Sequence, residues 1–266
     1  MSYGDEIIAG GHARSEHDKT GHLIRIVTKD GAPRYSDLWN GLPWFATRGT
    51  DEGNIRNLAD GPHCRPYIEY PFTRGGGCRY SGWRVRDNVG AIVFSDSETW
   101  FARDCLGDSA DKTVLVEPDI PEQSNPNKQW GRSKWQGLAD LLAAAGWRVA
   151  QVGSGTTEPL RCVRLIETDS FRLGAAVLSA VRAAVLPEGG LHHAAGVLKI
   201  PAVVLFGGAV DENAMGYPWH ENVVDRGTGS PCGKWEPCEH CAAIWERLTP
   251  QTVFDRFSQL TAKLFV

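Results

Sequence analysis

No stretch of the sequence is apolar for long enough to span a membrane. The N-terminal MSYGDEIIAGG lacks the basic-then-apolar layout of a secretion signal, so the expected location is the cytoplasm. Neither sign of charge dominates: 28 Lys and Arg stand against 32 Asp and Glu, a formal net charge of −4. That excludes a chain held to nucleic acid mainly by bulk electrostatics, while a local basic groove stays open. Internal repeats and low-complexity tracts are absent. Cysteine is sparse and odd in number, seven in 266 residues, which fits a reducing compartment better than a disulfide framework.

What remains is an ordinary globular composition, 42% hydrophobic and 23% charged, with length for one large domain or two modest ones. The ten tryptophans suit core or interdomain packing, and also the lining of a sugar- or base-binding cleft. Residues 1 to about 110 are rich in Gly, Pro, Arg and Trp, with short candidate strands in HLIRIVT and AIVFS. The stretch from Arg74 to Arg86 within TRGGGCRYSGWRVRDN reads as an exposed hairpin or loop, or as a loop holding an anionic or planar acceptor.

From KTVLVEP the texture becomes regular. TVLVEP, WRVAQVG, RAAVLPE and PAVVLFGG read as strands. SKWQGLADLLAAAG reads as a helix stopping at Gly146, SFRLGAAVLSA as one capped by Ser170, and GLHHAAGVLK as a short one. TPQTVFDRFSQLTAKLF is a closing amphipathic helix starting near Thr249 or Pro250. Apolar strands alternating with helices predict a parallel sheet covered on both faces.

In such a sheet ligands bind at the carboxyl ends of the strands. EGGLHHAAG falls there: Glu188 ends a strand, Gly189 and Gly190 turn, and Leu191, His192 and His193 open a helix. Two glycines allow close backbone approach, and the free N–H groups of the helix start favour phosphate. The same glycines would also serve an ordinary strand–helix turn, and His193 would serve as a core histidine bonded to backbone. In SNPNKQWGRSKW, between another strand and helix, Lys128 is either a solvated lysine or a point charge for a diphosphate leaving group.

Taken in order, NKQW after a strand, GLADLLAAAGWRVAQVGSG and EGGLHHAAGVLKIPAVVLFGG resemble the C-terminal half of the ADP-heptose:lipopolysaccharide heptosyltransferase family, of GT-B fold. That family carries a Lys-x-Trp element, matched by Lys128 and Trp130. It also carries Asp-Thr-Gly-Leu-x-His, matched by Glu188, Gly189, Gly190, Leu191 and His193, with Glu for Asp and Gly for Thr. GDEIIAGG is similar to the family's Gly-Asp loop, and Asp5 occupies the position of its proposed general base. The resemblance is good over roughly residues 113–225 and thin before them.

The resemblance implies an α/β, GT-B-like chain: a reduced acceptor-side domain over 1–112, and a Rossmann-like donor domain over 113–266. It implies transfer of a sugar from a nucleoside-diphosphate sugar to an acceptor hydroxyl, on a glycan, a protein or a modified base, with inversion by direct displacement. Asp5 would take the acceptor proton, with His12 and His17 as fallback bases. Lys128 and the amides around Gly190 and Leu191 would hold the diphosphate; Trp130, Glu188, Gly189, His192 and His193 complete the donor-side set. No cofactor is required for that chemistry. A degenerate relative that binds a nucleotide or glycan without transfer is the competing class, and a glycosyltransferase of modified nucleic acid is a third.

CGKWEPCEHC stands apart. Cys238-x-x-Cys241 has the spacing with which two thiolates share a structural zinc, and Cys232 supplies a third ligand. The fourth is His240 or His220; reduced thiols or a redox pair are the alternatives. Because this segment follows the last predicted strand, it is expected away from the phosphate loop.

Overall fold

The computed structural model describes residues 2–50, 53–60, 68–73, 77–80, 82–119, 125–154, 156–225 and 229–264. It opens on helix α1 (Tyr3–Thr20), where the sequence pattern read a Gly-Asp loop. The helix starts on a reciprocal cap, Ser2 with Asp5, and stops at Gly21, whose φ of 70° is left-handed. Gly4, Gly10 and Gly11 hide it from a propensity reading, but packing needs at least one of them. A Cβ on Gly11 would lie 1.9 Å from the carbonyl oxygen of Asn88.

Strands β1 (Leu23–Val27), β2 (Pro33–Arg34) and β3 (Ile55–Ala59) form a small sheet in the order β2-β1-β3. β4 (Ile68–Thr73) and β5 (Gly77–Tyr80) pair antiparallel, as a hairpin would. Arg74, at the head of the basic stretch, lies outside the described residues. AIVFS is not a strand: it is irregular chain leading to Ser95, which caps helix α2 (Asp96–Leu106) reciprocally with Glu98. The capping box in SDSE overrides the β-rich tetrapeptide before it.

The second half follows the expected alternation. β6 (Thr113–Val116), α3 (Arg132–Ala144), β7 (Arg148–Gly153), β8 (Arg164–Glu167), α4 (Phe171–Ala180), β9 (Ala183–Pro187), α5 (Gly190–Leu198), β10 (Ala202–Leu205), α6 (Glu212–Met215), β11 (Glu221–Val223), α7 (Glu239–Arg247) and α8 (Pro250–Ala262) follow in sequence. Ser170 and Thr249 are the caps of α4 and α8, as their sequences predict. The six strands form one parallel sheet in the order β11-β10-β9-β6-β7-β8. β6, β9 and β10 are buried at every position, as strands covered on both faces must be.

One apolar cluster joins α3 and α8 to one face of this sheet through Trp135, Leu138 and Phe257. The other joins α4 and α5 to the opposite face, and extends through Ile7, Ile8 and Ala13 of α1 to Ile24 and Ile26 of β1. Arg172 reinforces that junction. It makes two 2.7 Å hydrogen bonds to the Glu98 carboxylate and two more, also 2.7 Å, to the carbonyls of Asp37 and Val93. Hydrogen bonds from Arg172, ahead of burial in the opposite sense, bring the Glu98 carboxyl down to about 2.

The winding locates a crevice. From β6 the chain crosses by α3 toward β7 on one face; from β9 it crosses by α5 toward β10 on the other. β6 and β9 are neighbours, so the loops leaving them diverge, and a gap opens at their carboxyl ends.

Candidate functional site

Lys128 comes from the loop after β6 and Glu188 from the end of β9, and the two meet across this crevice as an ion pair. The Glu188 side chain is 4% exposed and that of Lys128 23%, so the carboxylate is sunk while the ammonium keeps access to solvent. Burial alone would raise the Glu188 carboxyl; Lys128 and His193 together outweigh it and hold it at about 2. His193 Nε2 stands 3.5 Å from the second carboxylate oxygen, and its Nδ1 lies 3.3 Å from the Tyr217 hydroxyl. Tyr217, which the sequence reading missed, thus ends a buried chain of three groups that orients Glu188.

α5 begins at Gly190, and its first helical hydrogen bond runs from His193 N–H to the Gly189 carbonyl, at 3.2 Å. The N–H groups of Gly190, Leu191 and His192 therefore precede any intrahelical acceptor and face the helix start. A side chain at Gly190 would put its Cβ 2.9 Å from Phe171 Cε2, which is why glycine stands there. Tyr3 stacks on Phe171, with ring centroids 4.4 Å apart and planes 13° off parallel. Gly4 approaches as closely: its Cβ would lie 3.0 Å from His193 Cδ2 and 3.7 Å from the Gly189 carbonyl oxygen. The first turn of α1 thus brings Asp5 beside the loop, with its carboxylate accepting from Ser2 N–H at 3.0 Å and Ser2 O–H at 3.1 Å.

The remaining candidates sit deeper or farther off. Trp130 does not face the crevice: it is 3% exposed, edge-on to Trp135, and donates to the Leu248 carbonyl at 2.8 Å. Its bulk anchors the loop from the α3–α8 side. His192 is fully buried among His193, Phe206, Tyr217 and His220; one of its ring nitrogens lies within 4.8 Å of Glu188 and His193, but neither nitrogen has a hydrogen-bond partner among the described residues. Burial, then the neighbouring charges, lowers its basicity well below the usual range. His12 and His17 lie about 10 and 18 Å along α1 from Asp5, at 1.5 Å per residue. His220 belongs to the cluster beneath α5, where burial brings it down to about 4.

A further acid stands where the sequence reading did not look. Glu117 follows β6 directly, and its Oε2 is buried without a hydrogen-bond partner among the described residues. Burial first, then the charges of Asp119 and Glu188, pushes its carboxyl up to about 8. That favours the neutral, O–H-donating form near the ion pair. The signal was an acid closing a strand of four buried residues, VLVEP.

The cysteine cluster assembles. Cys232, Cys238, Cys241 and His240 place one ligand atom each within 4.8 Å of one another. Cys232 and Cys241 Sγ are 3.3 Å apart, near the roughly 3.8 Å edge of a tetrahedron of thiolates on zinc. His240 presents Nδ1, 3.8 Å from Cys241 Sγ, while Ser230 holds its Nε2 at 3.1 Å. A hydrogen bond on the far nitrogen is how metal-binding histidines are oriented, so the donor set and its setting fit a metal. Backbone N–H groups of Cys241 and His240 draw the Cys238 thiol down, at the start of α7. The cluster touches the loop that bears Lys128: Cys238 N–H donates to Asn127 Oδ1 at 2.9 Å, one residue before Lys128. Linear order placed it last, but Cys232 and Gly233 bond back to the Gly208 and Ala209 carbonyls after β10.

A cavity of ≈ 720 Å³ lies against β1, lined among others by Arg34, Ser36, Trp39 and Arg48. Arg34 and Ser36 both bond the Glu6 carboxylate, next to Asp5. No helix among the described residues is long and apolar enough to cross a membrane.

No family model and no curated protein matches the sequence. Solved structures match in shape. TibC, an iron-containing dodecameric glycosyltransferase of enterotoxigenic E. coli H10407, aligns with a TM-score of 0.69 at 14% identity, over 100% of this chain and 77% of its own. A family 9 glycosyl transferase of Veillonella parvula DSM 2008 aligns with a TM-score of 0.67 at 12% identity, over 99% and 95%. E. coli ADP-heptose lps heptosyltransferase II aligns with a TM-score of 0.51 at 19% identity; 67% of this chain is covered, spanning 55% of that protein's length. The six-stranded parallel sheet and its flanking helices thus have the fold of the heptosyltransferase-like, GT-B-like glycosyltransferases.

Proposed function

We propose that this protein transfers a sugar from a nucleoside-diphosphate sugar to an acceptor hydroxyl, with inversion. The observation that carries the reading is the convergence of Lys128, Glu188 and the open N–H groups of α5 on one crevice. A diphosphate seated there receives hydrogen bonds from Gly190, Leu191 and His192 main-chain N–H groups and draws the Lys128 ammonium from Glu188. The charge that grows on the leaving diphosphate as the glycosidic bond breaks is then met by groups already in place. Glu188, released from Lys128 but still held by His193, accepts from donor sugar hydroxyls, and neutral Glu117 donates a hydrogen bond nearby. Asp5 takes the proton of the acceptor hydroxyl as its oxygen attacks the anomeric carbon from the opposite side.

The acceptor lies on the side of residues 1–112, in the cavity against β1, whose Arg34 and Ser36 tie it to Glu6 and so to the turn bearing Asp5. Residues 113–266 carry the donor. ADP-sugars are the first donors to test, since heptosyltransferase II is an ADP-heptose enzyme; a hexosyl or heptosyl group is the transferred unit. Cys232, Cys238, Cys241 and His240 would hold a structural zinc, or iron, which TibC contains. Such a metal would cross-link the loop rather than enter the reaction.

Isothermal titration of nucleoside diphosphates tests the reading. ADP or another diphosphate binds the wild type, Lys128→Ala weakens it about 10- to 100-fold, the worth of one charge-assisted contact, and Asp5→Asn binds normally but turns over no donor. A chain that binds no diphosphate, or binds it equally well without Lys128, overturns the donor site. Full turnover in Asp5→Asn removes that residue as the base.

A further inference from the structure

The four candidate metal ligands belong to a loop that has little regular structure of its own, between Gly229 and the start of α7. It is fastened to the sheet at two places. On one side Cys232 N–H and Gly233 N–H donate to the carbonyls of Gly208 and Ala209, after β10, at 2.9 and 3.0 Å. On the other side stands Asn127. This side chain is 4% exposed, and its carboxamide spends all three of its hydrogen bonds on the loop: Nδ2 donates to the Lys234 and Glu236 carbonyls at 3.0 and 2.7 Å, and Oδ1 accepts from Cys238 N–H at 2.9 Å. Asn125 adds a fourth tie, to the Lys234 carbonyl at 2.8 Å. The Asn127 carbonyl in turn accepts from Trp245 Nε1 at 2.7 Å, on the helix that begins at the thiolates.

The peptide that leads into Lys128 is therefore held, from side chain and main chain, by the segment the four ligands close upon. We infer that Asn127 is a positioning residue through which metal occupancy of the Cys232, Cys238, Cys241 and His240 cluster sets the place of Lys128, and with it the hold of the crevice on a diphosphate. The inference rests on the donor reading above. Its physical basis is that a metal removes most of the conformational freedom of a short irregular loop. When the metal leaves, the carbonyls of Lys234 and Glu236 no longer keep fixed positions. A buried carboxamide satisfied by this loop alone, through the two carbonyls and Cys238 N–H, must follow or lose its partners, and Lys128 is the next residue.

The test combines metal removal with substitution. Protein is reconstituted with zinc or with ferrous iron, its metal content is measured, and a matched sample is stripped with a chelator. ADP binding is then titrated for the wild type, Lys128→Ala and Asn127→Ala. Stripping should weaken ADP binding about tenfold in the wild type but less than about twofold in Lys128→Ala, because coupling vanishes when the residue that transmits it is gone. Asn127→Ala should reproduce the stripped affinity and respond little to metal. Equal losses in the wild type and Lys128→Ala overturn the inference, as does failure to take up either metal. Should Asn127→Ala not fold, the wild-type and Lys128→Ala arms decide alone. Amide hydrogen exchange supplies an arm without nucleotide: residues 127–131 should exchange faster in stripped protein while β9 and α4 do not change. If loaded protein binds no diphosphate, the donor reading fails while the exchange arm still decides the coupling, and unchanged exchange at 127–131 sinks it.

Discussion

Glu188→Gln separates the two roles given to the ion pair, because it keeps the side chain's size and removes its charge. In the folded chain the carboxyl is held at about 2, against 4.5 for the free group. The depressed value means the folded state binds fewer protons, so the group's contribution to stability is complete above 4.5 and disappears as the pH falls toward 2. By linkage that contribution is about 3 kcal/mol at neutral pH, and about a third to a half of it is lost by pH 3.5. Glutamine cannot titrate, and it leaves Lys128 without its countercharge. Urea unfolding at pH 7 should place the variant up to about 3 kcal/mol below the wild type. At pH 3.5 the gap should narrow by about 1 kcal/mol. Titration of ADP should move the opposite way: the freed ammonium binds a diphosphate some 3- to 10-fold more tightly, while transfer of sugar falls. A stability gap unchanged between the two pH values refutes the pair's energetics. Weaker ADP binding in the variant refutes the competition between carboxylate and diphosphate.

Gly190→Ala forces a Cβ to within 2.9 Å of Phe171; thermal unfolding should show a loss of about 1–3 kcal/mol, with ADP binding weakened and Phe171→Leu restoring part of both. Arg172→Ala removes four hydrogen bonds and leaves Glu98 with only its Ser95 partners, so denaturant unfolding should record a loss of about 2–4 kcal/mol that Arg172→Lys only partly recovers. Cys238→Ser should lower the bound metal measured by elemental analysis and reduce the melting temperature, whereas the exposed Cys162→Ser should change neither.

The second half was legible because its elements obey local rules: four apolar strands, capped helices at Ser170 and Thr249, and two glycines between Glu188 and the α5 histidines. Backbone position along a regular pattern is enough to put Lys128 and Glu188 at a strand end. It does not say which way a ring turns. Trp130 and Lys128 are two residues apart and face opposite sides of their loop, and of the two adjacent histidines only His193 meets the Tyr217 hydroxyl. Those directions are decided by Leu248 and Tyr217, from distant parts of the chain. β8 was missed because it is short and half covered, and α1 because its glycines oppose helix formation until close packing against Asn88 and Gly90 requires them. The neighbourhood of the cysteines and Asn127 depends on residues more than a hundred positions apart, which no spacing rule encodes.

The apolar cluster that carries Ile8 and Ala13 of α1 and Leu106 of α2 continues without interruption into Leu178 of α4 and Leu191 of α5. Cutting the chain between 112 and 113 would strip both pieces of the surface each needs to stay folded. The molecule should therefore melt in one cooperative step, and a scanning calorimeter should record a single peak. A hinged opening of two lobes would have to part this shared interior, so ligand exchange is left to side chains and short loops at the rim. Motion in such a protein should be confined to segments a few residues long, and a stiffening ligand on either half should be felt by the whole.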